Sequence, residues 1–468
     1  MVKSRGKVYT PDFIVNHILD LSNYKGETIL KKHVIDNSCG DGAFLVKIVE
    51  RYIKEALNSS LTNEEIINDL ETYIHGIEIE QNEQIKCIKN VSQTAKKYNL
   101  KNVSWDIICA NSLEVDKYNG KMNYVLGNPP YIRVHNLGDS FNDVKKFQFS
   151  QKGMTDLFIV FYEIGLKMLG KNGILGYITP SSLYNSLAGK NLRKHFVENN
   201  CISKVVDLKH NQVFNATTYT TIMVLANKMN KQTEYYEYES ENNKLKFIDN
   251  LSAKEFYINS NFYFGKKEEL LKLKEILNTK RKNNSILVKN GFATLKDNFF
   301  IGEFDFNEHT IPIIKASTGE RKTCFFPYKN NNLISYQELT KNINIKKYLE
   351  KHKSELSNRS LGKKSFWYGF GRSQGIKDVY SNKFSINTVV KDINSIKLIH
   401  CHSGMGVYSG VYILTKLSEE ELRKQILTQD FINYIKLLAK YKNGGYYTYS
   451  SNDLKKYLDY KTGSELTS

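Results

Sequence analysis

The chain holds no apolar run long enough to span a bilayer, and its first residues, "MVKSRGKVYTPDF", lack an apolar signal core. Six cysteines are scattered through it (Cys39, Cys87, Cys109, Cys201, Cys324 and Cys401), with no Cys-x-x-Cys pair and no His/Cys cluster at zinc spacing. These absences argue against a membrane protein, a disulfide scaffold and a zinc module, and the expectation is a cytoplasmic protein with buried free thiols. His17, His75 and His135 have no partner at ligand spacing, so no metal site is expected. There is no internal repeat and no low-complexity tract. Proline is scarce as well, with six in 468 residues, yet two of them adjoin in "GNPPY".

What the chain has in excess is positive charge, a formal +18. Up to Lys228 there are 28 Lys+Arg against 23 Asp+Glu, and beyond it 39 against 26. The excess lies mainly in the second half, as a polyanion-binding domain requires.

From Val34 to about Lys228, strand-like runs alternate with helical ones. "HVIDNS" leads into "AFLVKIVERYIKEAL", "YIHGIEIE" into "QNEQIKCIKNVSQTAKKYNL", and "MNYVLGNPP" precedes "TDLFIVFYEIGLKMLGKNG", read as an amphipathic helix ending at glycine. Thr62, three residues before Glu65, predicts a capping box. This alternation predicts an α/β fold, a parallel sheet wrapped by helices on both faces. "ISKVVDLK" and "TYTTIMVLANK" follow one another without a helix between them, which predicts an antiparallel edge. The expected domains are 1–228, a polar linker or hairpin at 229–247, and a mixed α+β domain at 248–468.

Two turns carry chemistry. The first strand ends in Asp36-Asn37-Ser38-Cys39-Gly40-Asp41-Gly42, a glycine turn between strand and helix that lets a ligand approach the backbone. The next strand ends at Glu78, placed to accept hydrogen bonds from a ribose. In Asn128-Pro129-Pro130-Tyr131 the prolines stiffen the backbone and remove donors, leaving acceptors that suit an amino group.

Together "VYTPDFIVNHIL", "VIDNSCGDGAFL", "GIEIE", "CANSLE" and "NPPY", in that order, resemble the gamma group (TaqI-type) of N6-adenine DNA methyltransferases. The resemblance implies a Rossmann-like fold with S-adenosylmethionine as cofactor, followed by a carboxy-terminal target-recognition domain. By the same resemblance Thr10, Asp36, Ser38, Gly40, Glu78, Asn111, Ser112, Asn128 and Phe158 bind the cofactor. Asn111 stands where the family usually has aspartate. Asn128, Pro129, Pro130 and Tyr131 are implied as catalytic, and Tyr131 and Phe214 as stacking on a flipped-out adenine. The implied partner is double-stranded DNA, acted on by a monomer. The motifs begin near Val8, so a cognate restriction endonuclease is expected as a separate protein.

In the basic half, Arg321, Lys322, Trp367, Tyr368, Arg372, Lys442 and Tyr446 mix cations with aromatics, as phosphate clamping and base contact require. N4-cytosine DNA methylation and RNA amino-methylation are alternatives, since both act on related exocyclic amines.

Overall fold

The computed structural model describes residues 10–133, 141–153, 155–214, 218–280, 285–359 and 366–464. It divides into two compact units, residues 1–271 and 272–468. His135 lies outside the described residues.

The first unit is built on one nine-stranded sheet. Its strands are β1 (Val34–Asp36), β2 (Ile74–Glu78), β3 (Asp106–Cys109), β4 (Met122–Gly127), β5 (Leu169–Pro180), β6 (Ile202–Asp207), β7 (Thr220–Ala226), β8 (Thr233–Glu239) and β9 (Lys244–Leu251), in the order β3-β2-β1-β4-β5-β7-β6-β8-β9. Strands β1 to β5 are parallel. The chain moves outward from β1 to β3, then returns to lay β4 on the other side of β1. That reversal opens a crevice at the carboxyl ends of β1 and β4.

The helices are α1 (Asp12–Leu21), α2 (Ala43–Asn58), α3 (Asn63–Tyr73), α4 (Gln81–Lys96), α5 (Phe141–Lys145), α6 (Leu157–Met168) and α7 (Lys190–Glu198). In α2 the buried residues Phe44, Leu45, Ile48, Val49, Tyr52, Ile53 and Ala56 form one stripe at helical spacing. The capping box is present, with Glu65 N–H donating to Thr62 Oγ1 and Thr62 N–H to the Glu65 carboxylate.

Three expectations need correction. Helix α6 ends at Met168, before the glycines, and is buried on nearly every side rather than amphipathic. The antiparallel strand is not at an edge: β7 lies between β5 and β6, antiparallel to both. All seven of its residues are buried, which fits an interior position. The segment 229–247, read as a linker or hairpin, lies in a hairpin, β8 and β9, but it joins the sheet through β6 and takes the first unit on to Leu271, so the expected break at 248 is moved.

The second unit is α+β. Its largest sheet pairs Leu287–Asn290, Val411–Leu414, Lys383–Ile386 and Leu398–Cys401 in that order. Its core is rich in phenylalanine, with Phe292, Phe299, Phe300, Phe325, Phe326 and Phe370 in mutual contact. Among the described residues no helix is long and apolar enough to cross a membrane.

Candidate cofactor and substrate site

The crevice brings together the two turns. Asp36, at the end of β1, is 2% exposed, and its Oδ1 accepts the Ser38 N–H at 3.0 Å. Burial pushes its carboxyl up to about 7; Ser38 opposes the shift and the Glu78 charge adds to it. Gly127, the last residue of β4, abuts this carboxyl, and a Cβ there would lie 2.6 Å from Asp36 Oδ1. Ser38 Oγ donates to the Asn128 carbonyl at 3.3 Å, which ties the two turns directly.

The glycine turn is shaped by Gly40 (φ +53°) and Gly42 (φ +96°), both left-handed. Glu78 braces it. Its two carboxylate oxygens accept the Gly40 and Glu80 N–H groups, each at 2.9 Å. Beside Glu78 stands Ile79, 58% exposed at the strand end. Beneath the turn, fully buried Asn37 accepts from the Tyr177 hydroxyl at 2.8 Å, and its carbonyl accepts from Ser112 Oγ at 2.6 Å. Asn111 closes its own turn, taking the Leu113 N–H at 3.2 Å and donating to Glu114 at 2.8 Å.

At the substrate side, Asn128 Nδ2 donates to Thr10 Oγ1 at 3.0 Å, which fixes the amide plane. The other end of that amide, Oδ1, is buried and has no partner among the described residues. Nor does a donor among them reach the Pro129 carbonyl. An orphaned buried acceptor costs about 1–3 kcal/mol, and here the Asn128 amide oxygen and, one residue on, the Pro129 carbonyl both lack a donor among the described residues. Tyr131 adjoins them. Its hydroxyl donates to the Ile178 carbonyl at 3.0 Å, and burial pushes this phenol well above the usual tyrosine range. Its ring meets Phe158 and Phe214 edge-on, at centroid distances of 6.4 and 6.1 Å. Phe158 is fully buried and backs the tyrosine.

Residues 31–214 match the model of the Eco57I restriction-modification methylase family. Over 242 residues (48% of the chain) the protein is 29% identical to the Type II methyltransferase M.BstVI of Geobacillus stearothermophilus, covering 43% of that protein. Over 137 residues (28% of the chain) it is 33% identical to RM.Eco57I of Escherichia coli, a Type II restriction enzyme and methyltransferase, covering 14% of it. M.AccI of Acinetobacter calcoaceticus matches over 403 residues at 23% identity, 75% of the chain and 72% of the relative. The chain spans less than half the length of the first two. Among solved structures, the Type IIL restriction-modification enzyme MmeI in complex with DNA superposes with a TM-score of 0.66 at 14% identity, covering 94% of this chain and 63% of that one. The MmeI likeness gives the fold, a methyltransferase-type α/β sheet followed by a second α+β unit.

The crevice residues fit S-adenosylmethionine, the cofactor expected from the sequence. A Cβ at Gly40 would meet nothing within 4 Å, so the turn presents open backbone beside the Glu78 acceptor and the Asp36 carboxyl. Sequence reasoning missed Gly127, Tyr177 and Ile79. For Ile79 the available signal was its place directly after the strand-end acid. The other two act only through chain neighbours distant in sequence.

The basic-half residues all lie in the second unit. Arg321 and Arg372 are exposed, as is Lys442. Lys322 pairs with Glu320 at 3.1 Å. Trp367 is half-buried between Tyr336 and Tyr368, with Lys353 Nζ 5.8 Å from its ring. Tyr368 is buried, and its hydroxyl donates to the Ile334 carbonyl. His75 is also structural, bonded to Asp106 at 2.7 Å and His33 at 2.9 Å.

Proposed function

We propose that the protein is a site-specific DNA methyltransferase that acts on N6 of a flipped-out adenine, the modification enzyme of a restriction-modification system. The observation that carries this reading is the vacant pair of acceptors, Asn128 Oδ1 and the Pro129 carbonyl, beside the Tyr131 ring. The N6 lone pair of adenine is delocalised into the ring, and accepting both N–H bonds draws the nitrogen toward tetrahedral geometry. When bound, S-adenosylmethionine supplies a methyl carbon activated by a sulfonium. The chain's own contribution is orientation and electrostatic preorganisation, with no covalent enzyme intermediate. Thr10 holds the Asn128 amide so that oxygen, not nitrogen, faces the substrate. Tyr131, anchored through its hydroxyl, offers its ring to the extruded base; such stacking contributes on the order of 1–3 kcal/mol. Because the target atom is inaccessible within a duplex, the base is flipped out.

Glu78 is assigned to the ribose hydroxyls of the cofactor, with Asp36, Ser38 and the Gly40 turn at its charged end and Asn111 and Ser112 near its adenine. The second unit is assigned to target recognition, and a cognate restriction endonuclease is the implied partner. Methylation of cytosine N4 is the second reading, favoured by the same acceptor pair, which suits any exocyclic amine.

The test is to incubate the protein with S-adenosylmethionine and genomic DNA and map modified bases by single-molecule sequencing. The expected product is N6-methyladenine at one short sequence, abolished by Asn128→Ala. Methyl groups on cytosine N4 would move the assignment to the second reading, and methylation of RNA alone would discard both.

A further inference from the structure

In the second unit the segment "FGRSQGIKDVYSNK", residues 370–383, is held far more firmly than a surface loop requires. At its start, Arg372 and Ala293 exchange backbone hydrogen bonds at 2.9 and 3.1 Å. Gly371 and Gly375 are packed so closely that a Cβ would lie 2.3 Å from Leu295 and 2.9 Å from Phe292 N, respectively. On its far side, Ser403 Oγ donates to the Tyr380 carbonyl at 2.8 Å, Ser403 N–H to Asn382 Oδ1 at 3.0 Å, and Gly404 N–H to the Val379 carbonyl at 3.1 Å. From beneath, the Lys383 ammonium donates to the carbonyls of Asp378, Val379 and Ser381 at 2.8, 3.0 and 2.9 Å. Lys383 is 2% exposed, and burial lowers its pKa to about 8. A buried ammonium is an expensive fastener, tolerated where its donors are all satisfied.

What this scaffold presents is equally specific. Tyr380 stands 61% exposed, with no aromatic neighbour and with its hydroxyl unpartnered among the described residues. Lys377 and Arg372 are exposed on the same loop, and neither makes an ion pair with a described residue. The loop's single acid, Asp378, is turned inward, where Lys289 (2.8 Å) and the Tyr412 hydroxyl (2.6 Å) hold its carboxylate. The outward face is therefore cationic, with one rigidly mounted aromatic. It belongs to a unit whose residues 272–468 carry 33 Lys+Arg against 18 Asp+Glu. A tyrosine brings a broad amphipathic contact while immobilising only two side-chain torsions, and fixing its backbone beforehand lowers the ordering cost on binding further.

We propose that Tyr380 contacts the bases of the target duplex, with Lys377 and Arg372 clamping the flanking phosphates, on a loop that Lys383 preorganises. The inference rests on the reading that the substrate is duplex DNA. Phosphate contacts set register without regard to sequence, and a groove contact discriminates between sequences. The two kinds of residue therefore give different signatures.

The experiment uses the full chain, as wild type, Tyr380→Ala and Lys377→Gln. Binding is measured to a duplex carrying the sequence the protein methylates and to a scrambled duplex, over a range of salt, alongside S-adenosylmethionine affinity. Tyr380→Ala is expected to weaken target binding about tenfold or more while scarcely changing scrambled binding. Lys377→Gln is expected to weaken both alike and to reduce the slope of log K against log salt by about one. Cofactor affinity should be unchanged in both. Wild-type affinity in both variants would overturn this inference and leave the DNA reading standing. A wild-type protein that binds no duplex would overturn both.

Discussion

Asn128, Gly127 and Asp36 lie within one turn of each other in space, and each makes a separate prediction. Asn128 holds a polar atom in a buried place without a partner, a cost that the proposed substrate amine would relieve. Asn128→Ala is expected to lower the methyl-transfer rate by about 10²–10³-fold, the effect of removing one preorganised hydrogen-bonding group at a reacting centre. The thermal midpoint should hold or rise, because the orphan goes with the side chain; single-turnover kinetics and melting curves check the pair. Gly127→Ala places a methyl group against the Asp36 carboxyl, and overpacking of this kind costs about 1–3 kcal/mol. Calorimetry should show S-adenosylmethionine affinity lowered at least about tenfold, since the displaced group is part of the cofactor crevice.

Asp36 predicts a pH dependence. Its folded pKa, about 7, lies above the value of an unfolded aspartate, so the folded apoprotein binds the extra proton between about pH 4 and 7. Stability from this group is present at the acid end of that window and is lost as pH rises through it. Asp36→Asn should therefore raise the apoprotein's melting midpoint at pH 8 and do so less toward pH 4. The cofactor carries a sulfonium and an ammonium, which favour the ionised carboxylate. Wild-type cofactor affinity should weaken as pH falls below about 7, and the Asn variant should lose that dependence.

At the scale of elements, local signals were the readable ones. Thr62 and Glu65 announced the start of α3 because a capping box is closed within four residues. Thr62→Ala should cost about 1 kcal/mol, read as a lower denaturation midpoint with an unchanged denaturant slope. The glycine turn, the strand-end Glu78 and the Asn128 hinge were legible for the same reason: each is a short pattern whose geometry is set by its own residues. The position of β7 was not, because a strand's neighbours are chosen by tertiary packing. Its unbroken apolar run, from Ile222 to Ala226, was the one sign in the sequence that it belonged inside. That the β8–β9 hairpin joins the sheet was hidden differently. Thr233 and Tyr235 point inward in alternation, but the register shifts between Tyr235 and Tyr236, and Tyr238 resumes the pattern out of phase. A bulge of that kind erases the period that identifies a strand.

For the whole molecule, charge divides more sharply than the sequence split suggested. Residues 272–468 hold a net +15 of the total +18, because the β8–β9 hairpin is acidic and belongs to the first unit. The crevice residues Thr10 to Phe214 all lie in the first unit, so a 1–271 fragment should bind S-adenosylmethionine with near-native affinity while losing the steeply salt-sensitive duplex binding of the full chain. Calorimetry and fluorescence anisotropy on the two proteins test this. The boundary near Leu271 could not be read from composition, because the polar stretch that resembled a linker forms part of a sheet.

The adjacency of β1 and β4 has one more outcome. Ser38 is bonded to the Asn128 carbonyl, and Asp36 leans on Gly127, so any ligand that settles one turn restrains the other. On the proposed reading, methyl donor and everted nucleotide help each other thermodynamically: whatever factor the first adds to the grip on the second, the second must return to the first. Titrating DNA with and without a non-reactive donor analogue, and the analogue with and without DNA, should yield the same ratio.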